Sequence, residues 1–185
     1  TANLEKAASL NPKDTWPLQN LALNYQMLRN FDAANKTLDR ALQINPAGIG
    51  LWEIKIKLAI AEKGDFSVYE KAMEKGKSFP MSNEDRLTLI GSEANLLLLQ
   101  RKYDQLLQLG EKFPDDSFAA VPGALAMKYF AIGVAERGLG DNTAAHTALG
   151  KATNILEEQL KQKPDDPDLH AGLAKILAWL GQKDA

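Results

Sequence analysis

The sequence predicts an all-α solenoid of stacked antiparallel helix pairs with no sheet. Three observations predict it. Pro12, Pro46, Pro80 and Pro114 stand 34 residues apart along the 185-residue chain. Each stretch between them holds two apolar patterns of helical period, with residues at i, i+3, i+4 and i+7 on one face. A short turn separates the two patterns: Leu28-Arg29-Asn30-Phe31, Lys63-Gly64-Asp65-Phe66, Gln100-Arg101-Lys102-Tyr103, Leu139-Gly140-Asp141-Asn142 and Leu180-Gly181-Gln182-Lys183. No alternating apolar pattern of period two is present, and β-branched residues are few.

Composition narrows the function classes. Apolar residues make up 45% and charged residues 25%, the balance of a folded domain. Lys plus Arg is 22 against 24 Asp plus Glu, so the net charge is −2. That near-balance argues against a nucleic-acid domain and a polybasic membrane-surface module. The chain has no cysteine, which excludes disulfides, thiolate metal sites and thiol catalysis. Its longest apolar runs, Leu96 to Leu99 and Phe130 to Ala135, fall far short of the ~20 residues of a spanning helix. No membrane insertion is expected, and no signal peptide is visible.

The clearest unit is 15–48. Leu18, Leu21, Ala22, Tyr25 and Leu28 line one face of its first helix; Phe31, Ala34, Leu38, Ala41 and Leu42 line one face of its second. Ala22 and Ala34 allow close approach, and Pro46 ends the second helix. The pattern Leu18-x-x-Leu21-Ala22-x-x-Tyr25, then Ala34-x-x-x-Leu38, then Pro46, resembles the tetratricopeptide repeat (TPR), whose period is also 34 residues. Leu18 stands where that family usually has Trp. The resemblance implies a right-handed α-α superhelix spanning 1–185 as one solenoid. Its approximate units are 1–12 (a second helix only), 15–48, 49–81, 83–115, 117–164 and 167–185 (a first helix only). The unit 49–81 departs from the pattern at Lys55 and Gly76, and the unit 83–115 at Gly110 and Phe113.

Spacing places the irregularities. The distance from each proline to the residue after the turn is 19, 20, 23 and 28 residues in successive units, then 19. This predicts first helices that lengthen through the third and fourth units. The second helix of the third unit should be short, and that of the fourth about two turns longer than usual. Pro122 is expected in the first turn of its helix. Ser82 with Asp85 reads as a capping box, Asp141 or Asn142 as a cap, and Asp165-Asp166-Pro167 as a helix start.

Chemistry for catalysis is not visible, and no enzyme, cofactor or metal is expected. His146 and His170 are 24 residues apart with no ligand partner. Packing is the ordinary role for each, His170 standing at a first-helix site that often holds an aromatic. Gly133 to Gly140 lies in a helix and its exit turn and lacks Gly-Lys-Ser/Thr, so it is not a phosphate loop. Asp115-Asp116 and Asp165-Asp166 lack the spaced oxygen ligands of a calcium loop. The glycosylation-like triplet Asn35-Lys36-Thr37 falls mid-helix.

In TPR arrays the first helices line a concave, partner-binding face, so the resemblance implies a protein or peptide partner. The positions turned from the packing stripe are Gln19, Leu23 and Gln26; Glu53 and Lys57; Asn95 and Leu98; Phe130, Val134 and Arg137; Lys175 and Trp179. The family's clamp for C-terminal carboxylates is not expected, because Gln19, Leu23 and Thr88 match only fragments of it. An apolar partner segment meeting Phe130 and Trp179 fits better; packing between repeats is the alternative for both rings. The last quarter of the chain resembles TPR regions of large bacterial signalling proteins. Both ends fall inside repeats, so the chain reads as part of a longer array, and pairing through its open apolar ends is the alternative function. The cytoplasm is favoured over the periplasm, although the absence of cysteine suits both.

Overall fold

A computed structural model describes residues 2–64, 66–119 and 121–181. Asp65 of the second turn and Gln182 and Lys183 of the last lie outside the described residues. Among the described residues the secondary structure is helical, with no strand. The helices are α1 (Ala2–Leu10), α2 (Trp16–Met27), α3 (Phe31–Ile44), α4 (Ile49–Lys63), α5 (Phe66–Lys77), α6 (Asn83–Leu99), α7 (Tyr103–Lys112), α8 (Ala124–Leu139), α9 (Asn142–Gln162) and α10 (Pro167–Leu180). A 3₁₀ turn, Asp115–Phe118, precedes α8.

Packing divides the chain into two compact units, Thr1–Leu89 and Ile90–Ala185, with the division inside α6. In the first unit α1 packs on α2, α2 on α3, α3 on α4 and α4 on α5, and α2 also reaches α4. Each helix thus buries its apolar face on its chain neighbours, and first helix meets first helix, as in a stacked repeat array. Leu18, Leu38, Ile56 and Leu58 are fully buried here, and Ala22 and Ala34 are sealed between α2 and α3. In the second unit α7 packs on α8, α8 on α9 and α9 on α10. Its main core is Ala126, Phe130, Leu149, Ala152, Leu156, Leu169 and Ile176.

The turns between paired helices share one backbone device. Arg29, Gly64, Arg101 and Gly140, the second residue of each of these turns, have positive φ, from 55° to 92°, as does Gly181 at the end of α10. In three turns the amide just after the positive-φ residue bonds back to a helical carbonyl: Asn30 to Tyr25, Lys102 to Leu97 and Asp141 to Glu136, each at 2.9 Å. This is the Schellman arrangement, which satisfies the last carbonyls of a helix. Asn30 and Asp141 then cap the next helix, accepting from the Ala33 and Ala144 amides. At α2–α3 and α8–α9 a tight exit and an immediate restart fold the second helix back on the first.

The other caps follow the same chemistry. Ser82 Oγ accepts from the Asp85 amide while the Asp85 carboxylate accepts from the Ser82 amide, both at 3.1 Å. Asp166 Oδ1 accepts from the Asp168 and Leu169 amides at the start of α10. In the third pair α6 has 17 residues and α7 only 10, and α9 reaches 21 against 14 in α3.

Four expectations are corrected. The first helix of the fourth unit, α8, is no longer than α6. Its extra residues form the 3₁₀ turn and a left-handed turn at Gly123, φ 75°. Pro122 therefore lies ahead of α8, not in its first turn. Leu28 caps α2 beyond its last turn and is 69% exposed, so the core stripe stops at Tyr25. His170 is exposed, with Nε2 2.6 Å from the Pro164 carbonyl, because Leu169 takes the inward position.

Gly133 and Gly138 have packing roles. A Cβ on Gly133 would stand 2.7 Å from Leu149 Cγ and 3.1 Å from the Ala145 carbonyl. One on Gly138 would stand 2.3 Å from the Tyr103 ring. These glycines let α9 and the Tyr103 ring lie directly against the α8 backbone.

Candidate partner-binding site

The second unit gathers four predicted residues into one constellation. Phe130 and Arg137 lie two helical turns apart on α8; Lys175 and Trp179 lie one turn apart on α10. Because α9 packs against both helices, it holds α8 and α10 side by side. Phe130 sits in the core, 6% exposed, and the edge of its ring meets Trp179 at 86° with centroids 5.8 Å apart. Arg137 Nη1 donates to the Trp179 carbonyl at 2.7 Å, and its guanidinium lies 5.5 Å from the indole centroid. Lys175 Nζ is 4.5 Å from the Phe130 ring. Trp179 keeps 38% of its surface in water. The result is an indole fixed from below by a buried ring and at its side by a guanidinium.

The remaining candidates divide by burial. Leu98 packs against the cluster of Leu97, Leu106, Leu109 and Ala135, and Val134 against the main core of the second unit. Both are half-buried because a first helix in an array touches its own partner and the next repeat. Its buried arc is therefore wider than one stripe. Asn95 is exposed. In the first unit Gln19, Leu23 and Gln26 are half-exposed along α2. On α4 Lys57 donates to Glu53 at 2.6 Å, one turn away, so these two charges largely answer each other.

Sequence reasoning missed a polar cluster beside this constellation. Asp115, read as a turn residue, accepts from Lys128 Nζ at 2.8 Å, Tyr129 Oη at 2.6 Å and Lys151 Nζ at 3.3 Å. Lys151 also lies over the Tyr129 ring, 3.9 Å from its centroid. The hydrogen bond from Lys128, then that from Tyr129, hold the Asp115 carboxyl down to about 2. The cluster ties the 3₁₀ turn to α8 and α9. No motif announces it, since it depends on where the inserted turn folds. Among the described residues no group of three His, Asp or Glu side chains converges on a possible metal position. None of their helices is long and apolar enough to cross a membrane.

No protein-family model matches the chain, and no curated protein matches it. Among solved structures it is similar to YrrB, described as a TPR protein with an unusual peptide-binding site. The superposition covers 98% of this chain and 85% of that one, with a TM-score of 0.50 and 14% identity. The chain has the TPR fold. On the repeat boundaries expected from the sequence, α2, α4, α6, α8 and α10 correspond to first helices. The Phe130–Trp179 contact joins α8 to α10, and Lys55 lies on α4.

Proposed function

We propose that the chain is a non-catalytic TPR scaffold that binds a peptide or a segment of a partner protein on its first helices, anchored at the α8–α10 face. The observation that carries this reading is the partly exposed Trp179, fixed by Phe130 and Arg137. An indole already held in place loses little side-chain entropy on binding, and Trp and Arg are the residues enriched at binding hot spots. Lys175 and Arg137 beside it suit a segment that combines an apolar side chain with acceptor oxygens. The peptide-binding site of the similarly folded YrrB supports the same reading. The test is selection of peptides from a displayed random library on the whole chain. Selected peptides should lose at least tenfold in affinity on Trp179→Ala, with the melting temperature nearly kept. Equal affinity on both proteins would overturn the reading.

A second reading, self-association, rests on the α1–α2 turn, where Leu10 is 77% and Trp16 63% exposed. Large apolar side chains this open favour pairing. Light scattering across a concentration series tests it. A mass that rises with concentration and reverts in Trp16→Ser supports pairing there, and a constant monomer mass rejects it.

A further inference from the structure

A second candidate surface lies in the first unit and shares no residue with the face proposed above. A groove of about 560 Å³ opens where α3, α4 and α5 meet. Its apolar lining is Leu42, Pro46 and Trp52, and the Trp52 indole is fixed by donation from Nε1 to the Pro46 carbonyl at 2.8 Å. Three lysines stand around it, Lys55, Lys71 and Lys75, against one carboxylate, Asp39. Asp39 is paired with Lys55, which leaves Lys71 and Lys75 as the net charge of the groove. Lys75 Nζ lies 5.4 Å from the Trp52 centroid, so one ammonium already stands over the aromatic floor.

Two features set this groove apart from ordinary surface. The chain as a whole is acidic, at −2, so a local excess of two positive charges runs against the global balance. In addition, Lys55 occupies a first-helix position where the repeat pattern calls for an apolar or small residue, and the structure turns it to Asp39 at this groove. We infer that the groove docks an acidic peptide segment, one large apolar side chain entering over Leu42 and Trp52 while flanking carboxylates meet Lys71 and Lys75. The volume accommodates one such side chain with its adjoining backbone. The charge excess selects carboxylates and makes the contact salt-dependent.

The probe is the blocked peptide acetyl-Glu-Glu-Phe-Glu-Glu-amide, titrated into the whole ¹⁵N-labelled chain and followed at the indole resonances. Its neutral counterpart acetyl-Gln-Gln-Phe-Gln-Gln-amide is the control. The acidic peptide should shift the Trp52 indole, bind at least tenfold more tightly than the control, and weaken as salt rises from 50 to 200 mM. The double reversal Lys71→Glu/Lys75→Glu, at exposed positions that leave the fold intact, should cost at least tenfold. Arg137→Ala/Lys175→Ala should leave this binding unchanged, which separates the groove from the α8–α10 face. An unmoved Trp52 resonance at millimolar peptide overturns the inference. So does binding that survives the reversal, or that is lost with Arg137 and Lys175 instead.

Discussion

The indole of Trp179 stands edge-on to the ring of Phe130, centroids 5.8 Å apart, and joins α10 to α8. The two rings have opposite exposures, 38% for Trp179 and 6% for Phe130. Their substitutions should therefore separate. Phe130→Ala empties a core position and should cost ~3–5 kcal/mol. Trp179→Ala loses the ring contact, ~0.5–1.5 kcal/mol, and some half-exposed area. Urea denaturation of the two variants checks this. Equal losses would mean that Trp179 is as much a core residue as Phe130.

Gly133→Ala should destabilise by ~1–3 kcal/mol. The new methyl would stand 2.7 Å from Leu149 Cγ, with the Ala145 carbonyl at 3.1 Å on the backbone side. Leu149 is fully buried, so it cannot swing away. Gly150→Ala is the control, since nothing lies within 4 Å of its added methyl; it should be neutral or slightly stabilising, as alanine is the better helix former. Thermal unfolding of both variants gives the comparison.

Arg29 and Arg101 hold a φ of 55° in the turn where three other repeats use glycine. A non-glycine residue in the left-handed region costs ~1–2 kcal/mol. Glycine relieves that cost but adds ~0.4–1 kcal/mol of unfolded-chain freedom. Arg29→Gly and Arg101→Gly should each stabilise by about 0.5 kcal/mol, which paired melting curves resolve when the two are combined. A drop in melting temperature would show that the arginine side chains contribute more than their backbone costs.

Asp115 makes stability depend on pH in a stated direction. Its carboxyl is held at about 2, against an ordinary 3.8. The folded state thus binds this proton less readily than the unfolded chain, and the charged form stabilises the fold. The contribution is complete above pH ~4 and disappears as pH falls through about 2. Asp115→Asn should lower the urea midpoint at pH 7, and the gap from the unaltered chain should close between pH 4 and 2. A gap that stays constant over that range would remove the carboxylate from the explanation.

The fold was legible because its signals are local. Proline spacing, Leu18/Leu21/Ala22/Tyr25 periodicity and the Ser82–Asp85 and Asp141 caps each act within a few residues. What escaped depends on longer-range geometry. The inserted residues before α8 have no periodic signature, so spacing alone turned them into helix. Their 3₁₀ turn brings Asp115 to Lys128, Tyr129 and Lys151, a meeting that no linear pattern encodes. The Phe130–Trp179 relationship was half legible. Helical position put both rings on first helices, but whether they face a partner or each other depends on the spacing of α8 and α10. Lys55 stood out as a breach of the repeat pattern, and its meaning required the positions of Asp39 and Trp52.

The central claim is that the first-helix face at α8–α10 is where a partner segment binds. The three tryptophans test it together, because each reports a different place: Trp179 that face, Trp52 the lysine-lined groove and Trp16 the α1–α2 turn. A library-selected peptide is titrated into the ¹⁵N-labelled chain, and the three indole resonances are assigned by Trp→Phe substitution. The prediction is that the Trp179 resonance moves with the binding isotherm while the Trp16 resonance stays in place. An unmoved Trp179 resonance at saturating peptide would contradict the claim.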